Sequence, residues 1–161
     1  IRPRPHLGTL EVRIMDAQAT ISEALALAVF IRALAVFLQK TRNGHEGVRP
    51  LQPLSWWFLK DNCFIASRFG IDAQFIINEK GDLAQLQDVA LRTLELISPY
   101  ADPVTERPHL DHLCERIDSG LPYNRQRAVM RDTGSFKEVV HSLSLALAQE
   151  TRRGLARITG E

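Results

Sequence analysis

Between Thr9 and Met15 apolar and polar residues alternate: Leu10, Val12 and Ile14 lie on one side of an extended chain, Thr9, Glu11, Arg13 and Met15 on the other. The pattern predicts a strand with one apolar face, opened by Gly8. Ahead of it, Arg2-Pro3-Arg4-Pro5 is extended, because proline fixes its own φ and biases the preceding residue away from helix. The period then changes. Thr20 and Glu23 have capping-box spacing, and the run that follows is apolar almost all round as far as about Lys40. That predicts a core helix covered on several sides. Its longest apolar stretch, 21–38, is interrupted by Glu23 and Arg32, charges that are costly in lipid, so a membrane span is the poorer reading.

Two glycines and two prolines make 41–53 a loop. A helix over roughly Leu54–Phe69 carries Trp56, Trp57, Phe58 and Phe64 and stops at Gly70. A short strand at Ala73–Ile77 runs into the turn residues Asn78-Glu79-Lys80-Gly81-Asp82. A third helix spans about Leu86–Ser98, and a fourth has Pro108 in its first turn and ends near Gly120. Ser135 and Glu138 form a second capping box, after which Phe136, Val139, Val140, Leu143 and Leu147 give the stripe of a long final helix. The fold class is α+β and helix-rich. One strand makes no sheet, so the expectation is that its partners lie upstream of Ile1.

The 161 residues suffice for one domain. Lysine plus arginine (20) nearly cancels aspartate plus glutamate (19), which removes any general electrostatic case for binding nucleic acid or an anionic membrane. Cys63 and Cys114 have no CxxC spacing and are expected to be reduced and buried. Ile1–Leu10 lacks the apolar core of a secretory signal, and the expected location is cytoplasmic.

Candidate chemistry sits on the first strand. Glu11 and Arg13, two residues apart, project from one face. A carboxylate oxygen suits Mg²⁺, and a guanidinium fork matches phosphate oxygens. The plainer alternative is a surface ion pair of little energetic value.

The run Arg2-Pro3…Pro5…Gly8-Thr9-Leu10-Glu11-Val12-Arg13…Asp16 resembles a signature of the carboxylate–amine ligase family that includes the type 2 glutamate–cysteine ligases. Asn62…Ala66…Arg68…Gly70 is similar to that family's later N-x-x-x-A-x-R-x-G helix end, although Cys63 and Phe64 replace a larger, more basic pair. Pro99-Tyr100-Ala101 and Arg125-Gln126-Arg127 are weaker likenesses. The resemblance implies the C-terminal portion (1–161) of a glutamine synthetase-like catalytic domain, an antiparallel sheet backed by helices, with its N-terminal strands missing. It implies ATP and Mg²⁺ as cofactors, with Glu11 as a metal ligand and Arg13 on phosphate. Arg2 and Arg4 would approach nucleotide or substrate carboxylate, and Asn62 and Arg68 would lie near the same site. The implied reaction phosphorylates the γ-carboxylate of glutamate and transfers the acyl group to an amine such as cysteine. No GxxxxGK[ST] motif is present, so the nucleotide site is not a P-loop.

Other residues are read more plainly. His109-x-x-His112 with Cys114 lacks a fourth metal ligand at useful spacing, His6 is solvated or capping, and Trp56-Trp57 are core rather than base-stacking. Arg125, Arg127 and Arg131 are either a loop closing on phosphates or a solvated basic face, and Arg152, Arg153 and Arg157 suit a helix C-terminus. Two rival functions remain: a non-catalytic helical interaction or oligomerisation module, in which Glu11 and Arg13 pair with each other, and an anion or nucleic-acid binder. A homo-oligomer is left open.

Overall fold

The computed structural model describes residues 1–41 and 54–159, and side chains as far as residue 156; the loop expected over 41–53 lies almost wholly outside the described residues. The chain opens with a hairpin. Strands β1 (Arg2–Arg4) and β2 (Thr9–Glu11) pair antiparallel with Arg2 opposite Glu11 and Arg4 opposite Thr9. A 3₁₀ turn over Pro5–Leu7 joins them, and Gly8 closes it in the left-handed region at φ 63°. The expected seven-residue strand is therefore three residues long. The pairing ends at Glu11 opposite Arg2, and the apolar face is not packed: Leu10 is 69% and Ile14 76% exposed.

Among the described residues six α-helices follow: α1 (Ile21–Thr41), α2 (Trp56–Phe69), α3 (Leu86–Ile97), α4 (Arg107–Ser119), α5 (Pro122–Thr133) and α6 (Phe136–Thr159). Between α2 and α3 lies a second hairpin, β3 (Gln74–Ile76) with β4 (Leu83–Gln85), closed by the expected Asn78–Asp82 turn. There the Asn78 amide oxygen accepts from Lys80 N–H and its nitrogen donates to Asp82. Strand β4 and helix α5 had no expectation in the sequence. Helix α5 is polar along most of its length and is set by Pro122 in its first turn and by Asn124, whose side chain accepts from Leu121 N–H at 2.9 Å.

The core sits where α1, α3 and α4 meet. Ala33 and Phe37 of α1 pack with Leu94 and Ile97 of α3, Ala101, and Leu110 and Ile117 of α4. Alanines at 26 and 33 let α1 approach its neighbours closely, and the Phe37 ring meets Tyr100 edge-on at 5.4 Å. Helix α1 has the length and, at 2.1, the mean hydropathy of a membrane span, a test that core helices also pass. It is covered on one side only, since Ile21, Leu25 and Leu38 are exposed.

Both ends of this helical body are tied by carboxylates. Thr20 accepts from Glu23 N–H at 3.3 Å, as the capping box expects. The Glu150 carboxylate of α6 takes the N–H groups of Ile21 (2.6 Å) and Ser22 (2.9 Å) and the Ser22 hydroxyl. At the start of α4, Asp102 accepts from Val104 and Thr105 N–H, while Glu106 accepts from Asp102 N–H and pairs with Arg32 at 2.9 Å.

Candidate functional site

Hairpin pairing brings together three of the residues singled out in the sequence. Arg4, across from the second strand, donates from Nε to Glu11 Oε2 at 3.1 Å, and its Nη2 lies 3.0 Å from the same oxygen. Arg13 Nε approaches Glu11 Oε1 at 3.3 Å. One carboxylate is thus held between two guanidiniums, each oxygen facing a different arginine. Arg4 and Glu11 are about one-third exposed and Arg13 is 60% exposed, so the cluster lies at the surface with its positive side open. Two guanidiniums against one carboxylate leave it net positive, and Arg2, opposite Glu11 in the register, adds to that charge. A phosphate or carboxylate group would find guanidinium N–H groups already oriented by Glu11.

The Glu11–Arg13 contact is also what a non-catalytic surface pair would show. Among the described residues no group of three or more His, Cys, Asp or Glu side chains converges on one point. Glu11 is one carboxylate with an arginine on each oxygen, so a Mg²⁺ held there would need its other ligands from phosphates, water or residues beyond these.

Asn62 and Arg68 lie elsewhere, on α2. Asn62 is 5% exposed and spends both ends of its amide on one residue: Nδ2 donates to Ile76 O and Oδ1 accepts from Ile76 N–H, each at 2.8 Å. It imitates a neighbouring strand and closes the outer edge of β3. Arg68 is exposed, with its guanidinium 5.8 Å from the Phe69 ring centre. Asn62 and Ile14 line one groove of about 1190 Å³ between α2, the second hairpin and α3, which puts the segment after β2 beside α2.

The arginines expected in a phosphate-closing loop or on a basic face are helical. Arg127 donates from Nη2 to Arg68 O at 3.3 Å and stacks on the Tyr123 ring at 4.9 Å, so it secures the C-terminus of α2. Tyr123 Oη accepts from Ile71 N–H, and its ring fills the space that a Cβ on Gly70 would occupy, 2.5 Å away. Gly70 sits at φ 63°, ψ −140°, so both backbone and space require glycine there. Arg125 is half-buried, with Nε and Nη2 shielded from solvent and without a hydrogen-bond partner among the described residues.

Trp56 and Trp57 are 61% and 74% exposed and are not core; α2 turns its Asn62 side inward and leaves both tryptophans outside, Lys60 lying over the Trp56 ring. Cys63 is exposed rather than buried, Cys114 is half-buried, and the two are not joined. Burial pushes the Cys114 thiol up, and Asp111, Asp118 and Glu95 add to the effect, so it is a poor nucleophile. His112 is close enough to Glu150 to help hold that carboxyl low.

The family model described as glutamate–cysteine ligase family 2 matches residues 1–142. The chain belongs to that family. A relative from Trichormus variabilis, named "Putative glutamate--cysteine ligase 2", is 41% identical over 93% of this chain and 39% of its own length. Relatives of the same name from Thermobifida fusca and Clavibacter michiganensis are 35% and 33% identical, over 96% and 98% of this chain and 37% and 39% of theirs. The chain thus spans about two-fifths of the length of these curated relatives. The family match includes the hairpin, the Asn62 helix and the Tyr123–Arg127 clasp alike.

Proposed function

We propose that this chain is the C-terminal portion of a glutamine synthetase-like catalytic domain, and that the whole enzyme is a cytoplasmic, ATP-dependent carboxylate–amine ligase forming a γ-glutamyl amide. The observation that carries the reading is the Arg4–Glu11–Arg13 cluster on a family signature. Mg²⁺–ATP would supply a phosphoryl group to the γ-carboxylate of glutamate, and an amine such as cysteine would displace the phosphate from the resulting acyl phosphate. Such transfer depends on positioning and charge neutralisation more than on covalent help from protein.

Each residue then has a task that its place allows. Glu11 holds Arg4 and Arg13 in a fixed fork and offers its remaining lone pairs to the metal. Arg13, the more exposed guanidinium, receives phosphate oxygens, with Arg4 and Arg2 towards nucleotide or substrate carboxylate. Arg68 is available from the exposed side of α2. Asn62 acts at one remove, by fixing α2 to β3. By itself the chain offers one metal carboxylate and a two-stranded hairpin, too little to grip ATP, metal and two substrates, so no turnover is expected of it alone.

Glu11→Gln in a complete enzyme tests the reading. Turnover is expected to fall by roughly 100-fold or more with the melting temperature retained; near-normal activity removes Glu11 from the site. Nucleotide binding to the isolated chain gives a second check. A ligase site prefers ATP with Mg²⁺, whereas a generic basic patch ignores the metal and weakens steadily with salt.

A further inference from the structure

The groove between α2, the β3–β4 hairpin and α3 has two unlike walls. On the α2 side stand Leu59, Cys63 and Ala66, and the polar side chains among them are used within the fold: Asn62 serves Ile76, and Ser67 donates to Phe64 O. The other side carries a row of four polar side chains. Gln74 and Gln85 lie opposite each other in the β3–β4 register, so both project from one face of that hairpin. Asp88 follows Gln85 by three positions and Arg92 follows Asp88 by four, so the first turns of α3 continue the row. All four are exposed and line the groove.

Among the described residues, none of these four side chains has a hydrogen bond or an ion pair. For Asp88 and Arg92 that is informative. An acid four positions ahead of a base on a helix is the order that pairs most readily, and elsewhere the structure closes Arg32 on Glu106 at 2.9 Å and Arg4 on Glu11 at 3.0 Å. Here one negative and one positive group, a helical turn apart, are left open to about 1190 Å³ of space with apolar side chains across it. We propose that the groove binds a free α-amino acid with a large apolar side chain. Asp88 accepts from the α-ammonium group, and the Arg92 fork donates to the α-carboxylate. The Gln74 and Gln85 amides complete the polar edge, and the ligand side chain lies against Leu59 and Ala66. Both charges are needed for the fit: a simple anion meets Asp88, an amine without a carboxylate leaves Arg92 unanswered, and the second carboxylate of glutamate would face the apolar wall. The space exceeds the roughly 300–1,000 Å³ of ordinary ligand pockets, so a bulky side chain is admitted. The assignment stands whether or not the opening hairpin binds nucleotide.

The test titrates the 161-residue chain with L-leucine and follows amide resonances at Ala66 and Val89, one on each wall. L-Leucinamide, which lacks the carboxylate, N-acetyl-L-leucine, which lacks the ammonium, and L-glutamate are the comparison ligands. Leucine is expected to bind about tenfold or more tightly than each of them, since a charge-assisted contact is lost or a carboxylate is set against the apolar wall. Asp88→Asn should abolish the preference over N-acetyl-L-leucine and keep the preference over L-leucinamide; Arg92→Gln should do the opposite. Neither side chain has a partner in the fold, so both variants should keep the parent melting temperature, and a merely structural loss would weaken every ligand alike. Three results overturn the proposal: no leucine-dependent shift at the groove of the folded chain, equal affinity for leucine and its capped forms, or preferences that survive both substitutions. Tighter binding of L-leucyl-L-leucine than of leucine overturns the single amino acid as ligand.

Discussion

The opening hairpin and the three-helix core around Ile97 obey opposite economies. In the core, α1, α3 and α4 each contribute apolar side chains that are almost wholly removed from water. In the hairpin, Leu7, Leu10 and Ile14 stand 66%, 69% and 76% exposed, and what order there is comes from a short ladder and two arginine–carboxylate contacts. Exposed ion pairs of this kind are each worth at most about 1 kcal/mol. The difference separates stability from chemistry. The part that is buried carries none of the charged cluster, and the part that carries the cluster buries little apolar surface within this chain.

The contrast can be broken first with a matched pair of truncations. Ile97→Ala should cost about 2–5 kcal/mol, because Ile97 has no exposed surface, whereas Leu10→Ala should cost well under 1 kcal/mol. Denaturant midpoints of the two variants check this, and a large loss for Leu10→Ala would place the hairpin inside the cooperative unit. Next in size is Gly70→Ala, expected to cost about 2–4 kcal/mol because its methyl would meet the Tyr123 ring and its backbone lies at positive φ. If pairing Gly70→Ala with Tyr123→Ala does not recover part of that loss, the ring contact is not the cause.

Asn62→Ala leaves Ile76 N–H and C=O without their partner and should cost about 1–3 kcal/mol, raising hydrogen exchange at Ile76 specifically. This also separates the two regions, since the Arg4–Glu11–Arg13 contacts do not involve Asn62. Among the polar contacts, the smaller effect is expected at Glu150. Burial alone would raise its pKa, but hydrogen bonds from Ser22 and Ile21, aided by His112, outweigh it and hold the carboxyl below the ordinary glutamate value. A depressed folded-state pKa means stabilisation that is present above the unfolded-state value and lost as pH falls through the folded one. Glu150→Gln should therefore cost about 1 kcal/mol at neutral pH and close to nothing once the wild-type carboxylate is protonated, as thermal melts across acid pH would record.

How much of this was readable in advance depends on where each signal is local. The starts of α1 and α6 were legible because a capping box needs only four residues, and both boxes place their hydroxyls on the expected N–H groups. The family was legible because the likeness over Arg2–Asp16 is short and contiguous, and the family model matches residues 1–142. The end of β2 was not, since the length of a strand depends on its pairing with β1 and not on its own alternation alone. Helix α5 was hidden by three arginines that blur its apolar stripe, although Pro122 followed by Asn124 is the start signal that could have shown it. The tryptophans misled because residue type says that they prefer cover, not which side of α2 receives it. Asn62, a candidate for ligand contact, takes up an architectural post that no single-sequence pattern distinguishes from a catalytic one.

The grip of Glu150 on Ile21 and Ser22 spans 129 and 128 positions of sequence. Almost the whole described chain is thereby closed into a ring by one side chain. Trimming the protein from its C-terminal side as far as Glu150 would accordingly register at the opposite extremity, as fraying of the first turn of α1, before it disturbed the packing around Ile97.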